Sequence, residues 1–481
     1  MLLSMPKLNE NSIFRHTTQS PSEIFQDLIE NQHFRDFRWD DDQQRVQGLL
    51  SFIYNLLSSN TSFFQPCVRY LVSSVAQQLI PTSSLDLIKS ALLKSYQLIP
   101  SSFNIFVNLL ISHFPHRVSP VENILQYLQL LLFFIESVPY LRSSLWDAII
   151  TRFLEMDVEI KIEDIIDSDD EGDCSESEGD DVSDGDESSS DVAASDLARS
   201  TAEKLDLCMM EIFNFISNFH SKNKQRFLPD LMEYFFDSFD KLLLKTHKSK
   251  YTQFLIFYSI AISAKPDCKN DSVDAFVAFL LKRILSNECT SKFKPICTGY
   301  LASFIARGRF VTLPLVQFVL DILSKWSVRY VDIHGISSVD VDFSDHIIFY
   351  HVVIAILYIC CFHLKDIVSV NGGIAFAKSL KLEYILLSKL NPLKMCLETV
   401  ANEFARVAAE VSLLDCRSLI QSNRYLLLSN YEETVVGRST LVDSFFPFDP
   451  YLLTESLSFI QPFYREWTGG EDSDDEDMES D

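Results

Sequence analysis

"HIIFYHVVIAILYICCFHL", residues 346–364, decides the fold class, because it is either a membrane span or the innermost helix of a large helical protein. Its 19 residues carry no full charge, close to the roughly 20 apolar residues a bilayer crossing needs. Three histidines interrupt it (His346, His351, His363), and Asp345 and Lys365 flank it closely. A helix that is apolar on every side is also what the middle of a large helical protein uses. Burial in a protein core is the expected reading.

The rest of the chain supports a helical protein. Leu205, Met209, Ile212, Ile216 and Phe219 recur at helical spacing, as do Leu315, Phe318, Ile322 and Trp326, and Leu397, Val400, Phe404, Val407 and Val411. Around the last stripe, Glu398, Asn402, Glu403 and Arg406 fall on the opposite, wet face. Alternating, strand-like text is rare. Only 12 glycines occur in 481 residues, which argues against turn-rich sandwiches and barrels. The 38 phenylalanines can fill a large core. Short breaks such as "QLIPTSS", "QLIPSS", "HFPHRVSP" and "SAKPDCKND" separate the apolar segments into pairs. The repeat of about 35 to 45 residues is close to that of HEAT and armadillo solenoids. The expected fold is all-α, a HEAT-repeat superhelical solenoid interrupted by a disordered acidic loop.

The formal charge of −26 is unevenly placed. Residues 163–191 hold 15 acids and residues 471–481 hold 8, with no base in either; the remainder has 44 acids against 41 Lys plus Arg. Like-charge runs with little apolar area are expected to stay disordered. The expected organisation is a flexible terminus (1–19), amino-terminal repeats (20–160), an acidic serine-rich loop (161–200), carboxy-terminal repeats (201–467) and an acidic tail (468–481). The ten cysteines show no C-x-x-C pair, and Cys208, Cys297, Cys360 and Cys361 lie in apolar helical text, as reduced buried thiols do. The start, "MLLSMPKLNENS", has no adequate signal-peptide core, so a cytosolic or nuclear protein is expected.

No residues point to catalysis. There is no phosphate loop, no dinucleotide fingerprint and no H-E-x-x-H. The doublet Gly372–Gly373 reads as a turn or cap. His113 and His116 are separated by Pro115 without a third ligand. Cys360, Cys361 and His363 point in different directions on a helix and cannot meet at one metal. The chain is expected to bind partners rather than to be an enzyme, with no cofactor and no metal. Ser168, Ser175, Ser177, Ser183 and Ser473 each lie three residues before an acid, the pattern acidophilic kinases take. Bases gather in "KLLLKTHKSK" (Lys241, Lys245, Lys248, Lys250) and in a second run with Lys292, Lys294, Arg307 and Arg309, the expected basic partner face. Direct DNA contact is left open by these bases, and Phe- and Leu-rich helix faces would also allow a homodimer.

"KYTQFLIFY" (250–258), "GYLASFIARGRFV" (299–311), "LSKLNPLKMC" (387–396), "FFPFDPYLL" (445–453) and "FIQPFYREW" (459–467) occur in this order. Together they resemble the RNA polymerase I-specific transcription initiation factor family, of the TIF-IA type. "FQPCVRYLVSS" and "LIPSSFNIFVNLLISHFPHR" carry a weaker likeness further upstream. The resemblance implies a nuclear, nucleolar factor that binds RNA polymerase I at its stalk and makes it competent to initiate. It further implies bridging to promoter-bound core (selectivity) factor at ribosomal DNA, control by protein kinases, and a serine patch facing the polymerase. That patch maps onto Ser101 and Ser102, with Ser73, Ser74, Ser143 and Ser144 as further members. Each pair falls near a helix edge, where a hydroxyl could instead cap backbone amides. A nuclear transport receptor and an acidic nuclear chaperone are the competing readings. The stiff aromatic segment "FFPFDPYLL" is expected to fold back on the terminal repeats as a cap, with Tyr451, Leu452 and Leu453 opening the final helix; the rival reading is a docking site for core factor.

Overall fold

The computed structural model describes residues 37–40, 43–160, 188–222, 227–246, 249–264, 271–286, 290–335, 343–429 and 445–467. Ser168, Ser175, Ser177, Ser183 and Ser473 lie outside them. Among the described residues every regular element is a helix, and the sole β pairing is a single bridge between Gly308 and Tyr464. The chain divides into two compact units, Met1–Met156 and Asp157–Asp481.

The first unit holds α1 (Gln43–Ser59), α2 (Phe64–Gln77), α3 (Thr82–Leu98), α4 (Phe103–Ser112), α5 (Val121–Ser137) and most of α6 (Arg142–Asp157). Each helix presents an apolar stripe to its neighbours: α1 packs on α3, and α2 on α3, α4 and α5. Leu71, Leu92, Leu110, Leu131, Phe134 and Trp146 are fully enclosed. The prolines of the breaks begin helices rather than break them: Pro81 and Pro120 are the residues before α3 and α5. Gln126 is buried yet satisfied, donating to the Val75 and Gln78 carbonyls at 2.9 and 3.0 Å and accepting from the Ile80 amide at 2.8 Å.

The second unit continues with α7 (Ser188–Lys222), α8 (Phe227–Lys241), α9 (Phe254–Ser263), α10 (Asp271–Leu285), α11 (Phe293–Arg307), α12 (Leu313–His334) and α13 (Ile347–Ser369). Then come α14 (Gly373–Ser379), α15 (Leu382–Leu386), α16 (Glu398–Glu410), α17 (Arg417–Ser429) and the short α18 (Leu457–Ile460). The stretch that decided the fold class is α13. It is long and apolar enough to cross a membrane, but 72% of its apolar window is buried inside the protein. Helices α11, α12, α14 and α16 all pack against it. Gly372 supports the turn into α14 with a left-handed backbone (φ 80°), a conformation only glycine adopts cheaply.

Two expectations are corrected. Helix α7 starts at Ser188, inside the segment 161–200 expected to be disordered, where "DVAASDLA" supplies alanines and leucine that favour helix. On α12 the buried residues are Val316, Val319, Leu320 and Leu323, whereas Phe318 is 54% exposed and Leu315, Ile322 and Trp326 are half-buried. The helix has two apolar faces, and spacing alone does not say which one meets α13.

Candidate functional site: docking surfaces and the aromatic knot

The serine pairs occupy different local settings. Ser101 and Ser102 form the 3-10 turn before α4 (Pro100–Ser102); Ser101 is exposed, and Ser102 is buried with its hydroxyl donating to the Ile99 carbonyl at 2.6 Å. Ser73 and Ser74 lie in the last turns of α2, where the Ser74 hydroxyl, 6% exposed, donates to the Tyr70 carbonyl at 2.9 Å. Ser143 and Ser144, both half-buried, open α6. Neither Ser74 nor Ser102 caps an amide: each hydroxyl bonds a carbonyl one turn back in the chain.

Ser144 borders an open cavity of about 490 Å³ with Ile111, Phe114, Asp147, Thr151, Arg152 and Glu155. There the Arg152 guanidinium lies over the Phe114 ring at 5.6 Å and pairs with Glu155. Ile111 and Phe114 sit at the far end of α4 from Ser101. A ten-residue helix is about 15 Å long. The structure therefore places Ser101 and Ser144 at opposite ends of α4 rather than in one cluster.

The expected basic face does not exist as a unit. Lys292 is the exposed residue before α11 and Lys294 lies in its first turn, while Arg307 ends that helix and Arg309 follows it. Arg307 is only 3% exposed. It is enclosed because it makes a buried ion pair with Asp449, donates to the Tyr358 hydroxyl at 3.1 Å and donates to the Arg465 carbonyl at 3.0 Å. Arg309 is exposed, but its amide donates to the Phe463 carbonyl at 2.9 Å, tying it to the end of the described chain.

Asp449 belongs to "FFPFDPYLL", which is seated in the middle of the second unit and not on the last repeats. Phe448 is fully buried among Phe254, Phe257, Tyr300 and Phe304, with ring centroids 5.3 to 5.9 Å away. Phe446 stacks on Tyr358 at 3.8 Å. The knot therefore bridges α9, α11 and α13. Gly299 makes the approach possible, since a Cβ there would sit 2.3 Å from the Phe445 carbonyl oxygen. The buried backbone polar groups of this irregular segment have no helix partners and must be satisfied by side chains. Ser303 Oγ accepts from the Phe448 amide at 3.3 Å, Tyr464 donates to the Phe448 carbonyl at 2.9 Å, and Gln253 donates to the Pro447 carbonyl. Tyr358 donates to Asp449, whose carboxyl burial pushes above its usual range against the pull of the Arg307 guanidinium. Pro450 follows Asp449 through a cis peptide bond. Tyr451 does not open a helix; it packs on Phe254 at 4.5 Å, and its hydroxyl meets Ser456 Oγ at 2.6 Å.

Two further buried carboxylates pin loops and were not singled out from the sequence. Asp206 on α7 accepts from the Glu455 and Ser456 amides at 2.7 and 2.8 Å. Asp157 accepts from the Lys250, Tyr251 and Thr252 amides. An acid on an otherwise apolar stripe, such as Asp206 one residue after Leu205, was the available signal.

These surfaces belong to a helical-repeat scaffold, a class that acts through what docks on it. Among the described residues no group of three or more His, Cys, Asp or Glu could hold a metal. Comparison with known proteins narrows the class: the chain belongs to the RNA polymerase I specific transcription initiation factor RRN3 family, whose family model matches residues 23–471. Members are transcription initiation factors and not enzymes. The mouse RNA polymerase I-specific transcription initiation factor RRN3 is 28% identical, over 97% of this chain and 77% of its own length. The fission yeast (Schizosaccharomyces pombe) factor rrn3 is 26% identical, over 92% and 76%. A solved structure, described as the crystal structure of RNA polymerase I transcription initiation factor Rrn3, shares the fold. Its TM-score is 0.74 at 21% identity, with 93% of this chain and 89% of that chain covered.

Proposed function

We propose that this protein binds RNA polymerase I near its stalk, renders it competent to initiate, and bridges it to promoter-bound core factor at ribosomal DNA in the nucleolus. The observation that carries the reading is the family match across residues 23–471. It leaves the transport-receptor and acidic-chaperone readings without support. The polymerase-facing surface is assigned to the first unit around Ser101, the one exposed hydroxyl among the described residues of the serine pairs. A phosphate there would add about −1.5 to −2 charges to a close interface, so phosphorylation by a protein kinase would weaken docking. Ser168, Ser175, Ser177, Ser183 and Ser473 are proposed as further kinase targets, on sequence pattern alone.

The test is capture of purified RNA polymerase I by the full chain, with RNA polymerase II as the specificity control. Selective capture that Ser101→Asp loses supports the function and the surface together. Selective capture by both proteins keeps the function and overturns the surface. Failure to capture RNA polymerase I overturns the initiation-factor reading for this chain.

A further inference from the structure

Taking Arg307 out of the basic face leaves Lys292 and Lys294 in need of another explanation. Both sit at the positive end of α11, where the helix dipole disfavours cations, and no acid lies in that first turn. Helix stability therefore does not account for them. The fold brings other bases to the same edge. Helix α10 packs on α11, and Phe276 near the start of α10 meets Phe304 near the end of α11 at 4.9 Å, so the two run in opposite directions and Lys282 near the end of α10 falls toward the start of α11. The 3-10 turn Leu243–Lys245, which follows α8, packs on both α8 and α11 and adds Lys245. Lys245, Lys282 and Lys292 are exposed and Lys294 is half-buried. None of the four forms an ion pair with a described residue, whereas their neighbours do: Lys241 pairs with Asp237, and Arg283 pairs with Asp240 at 2.8 Å.

We propose that this edge of α8, α10 and α11 docks an acidic polypeptide segment of a partner, one carrying an apolar side chain among its carboxylates. Four observations favour a peptide over nucleic acid. Arg283, the guanidinium at this edge among the described residues, is already engaged, lying 3.5 Å over the Phe279 ring and paired with Asp240. The free cations are thus lysines, compact point charges suited to carboxylates in no fixed geometry. Phe279 stacks on Phe236 at 5.4 Å beneath Arg283, so that ring is not offered to a base. Asp237 and Asp240 alternate with the bases, which opposes a continuous phosphate backbone. Leu285, 36% exposed at the end of α10, supplies an apolar seat beside Lys282.

The full chain is titrated into a short labelled peptide of Asp and Glu around a Leu-Phe pair, with a short labelled DNA duplex in a parallel arm, and anisotropy is read. Raising salt from about 0.05 M to about 0.3 M shortens the Debye length and should weaken peptide binding at least about tenfold. Replacing all four lysines (Lys245→Gln, Lys282→Gln, Lys292→Gln, Lys294→Gln) removes four surface charge contacts, an expected loss of about tenfold or more. A control with Lys94→Gln, Lys325→Gln, Lys378→Gln and Lys389→Gln should bind as the wild type does. Leu285→Ser should weaken the peptide and leave any duplex binding unchanged. Melting by circular dichroism confirms that each variant folds. Equal binding by the four-lysine variant, no peptide binding at low salt, or tighter binding of duplex than peptide would each overturn the proposal.

Discussion

Arg307 and Asp449, 142 residues apart in sequence, form an ion pair in the interior of the second unit, with side chains 3% and 20% exposed. Removing one partner from such a pair leaves a largely enclosed charge without its counter-ion, at a cost of up to about 3–5 kcal/mol. Arg307→Ala should therefore lower the urea midpoint of unfolding strongly. Arg307→Met with Asp449→Leu should recover much of the loss, because neither charge is then left alone. A double variant no more stable than Arg307→Ala would show that the hydrogen bonds to Tyr358 and Arg465, rather than the charge pair, matter at this site.

Phe448 and Phe446 are two residues apart but differ in setting, fully buried against half-buried. Phe448→Ala should cost about 3–5 kcal/mol, as large-to-small changes in a closed core do. Phe446→Ala loses one stacked face on Tyr358 and should cost less than half as much. Polymerase capture at unchanged level by folded Phe446→Ala would mark the knot as structural; lost capture at unchanged melting temperature would mark it as a docking site.

Gly299→Ala is a one-methyl test of the same junction. The added Cβ would meet the Phe445 carbonyl oxygen at 2.3 Å, so backbone must move, with an expected cost of about 1–3 kcal/mol. At Gly372 a Cβ meets nothing within 4 Å, and only the left-handed backbone resists. Gly372→Ala should cost about 1 kcal/mol. Chemical denaturation of both variants checks the order.

His363 predicts a pH dependence. Burial first, and the nearby Arg465 guanidinium second, lower its pKa to about 4, while the Ile305 carbonyl and Asp366 oppose the shift. The unfolded chain takes up this proton near pH 6.5 and the folded chain does not, so the unfolded state binds more protons between pH 6.5 and 4. Stability from this group is complete above pH 6.5 and lost as pH falls toward 4, by up to roughly 3 kcal/mol. His363→Gln should flatten that part of the stability profile, measured by denaturant midpoints at a series of pH values.

Ser101→Asp and Ser102→Asp should differ sharply despite adjacency. Ser101 is exposed, and its replacement should change stability by no more than about 0.5 kcal/mol. Ser102 is 5% exposed with its hydroxyl bonded to Ile99, so a carboxylate there is buried without a donor and should cost several kcal/mol, about the penalty of an unsatisfied charge. Thermal melts distinguish the two before any binding assay.

The helical character, the buried α13 and the burial of Cys208, Cys297 and Cys360 were legible in the sequence, because apolar spacing and the absence of charge are local properties. Val400, Phe404 and Val407 are buried as their spacing required, and so are all five residues of the 205–219 stripe. What spacing could not supply was partnership. Phe318 and Val319 are both apolar, yet one is exposed and the other is core, and only tertiary packing decides which. Arg307 looked like a surface base because Asp449 is 142 residues away, and no local rule joins them. Among the proposed serines, exposure separates Ser101 from Ser102, and adjacent identical residues carry no sign of which one faces water.

A simple repeat array grows by neighbour contacts, so its early repeats can finish folding before later ones are made. The second unit is built otherwise. Phe448 packs on α9 and α11, Tyr451 and Tyr464 pack on α9, Phe446 stacks on α13, and the Asp206 carboxylate on α7 accepts from the amides of residues 455 and 456. Without residues 445–467, the space beside Phe254, Phe257 and Phe304 would stand open, so a late segment of the chain completes a core whose walls come from much earlier helices.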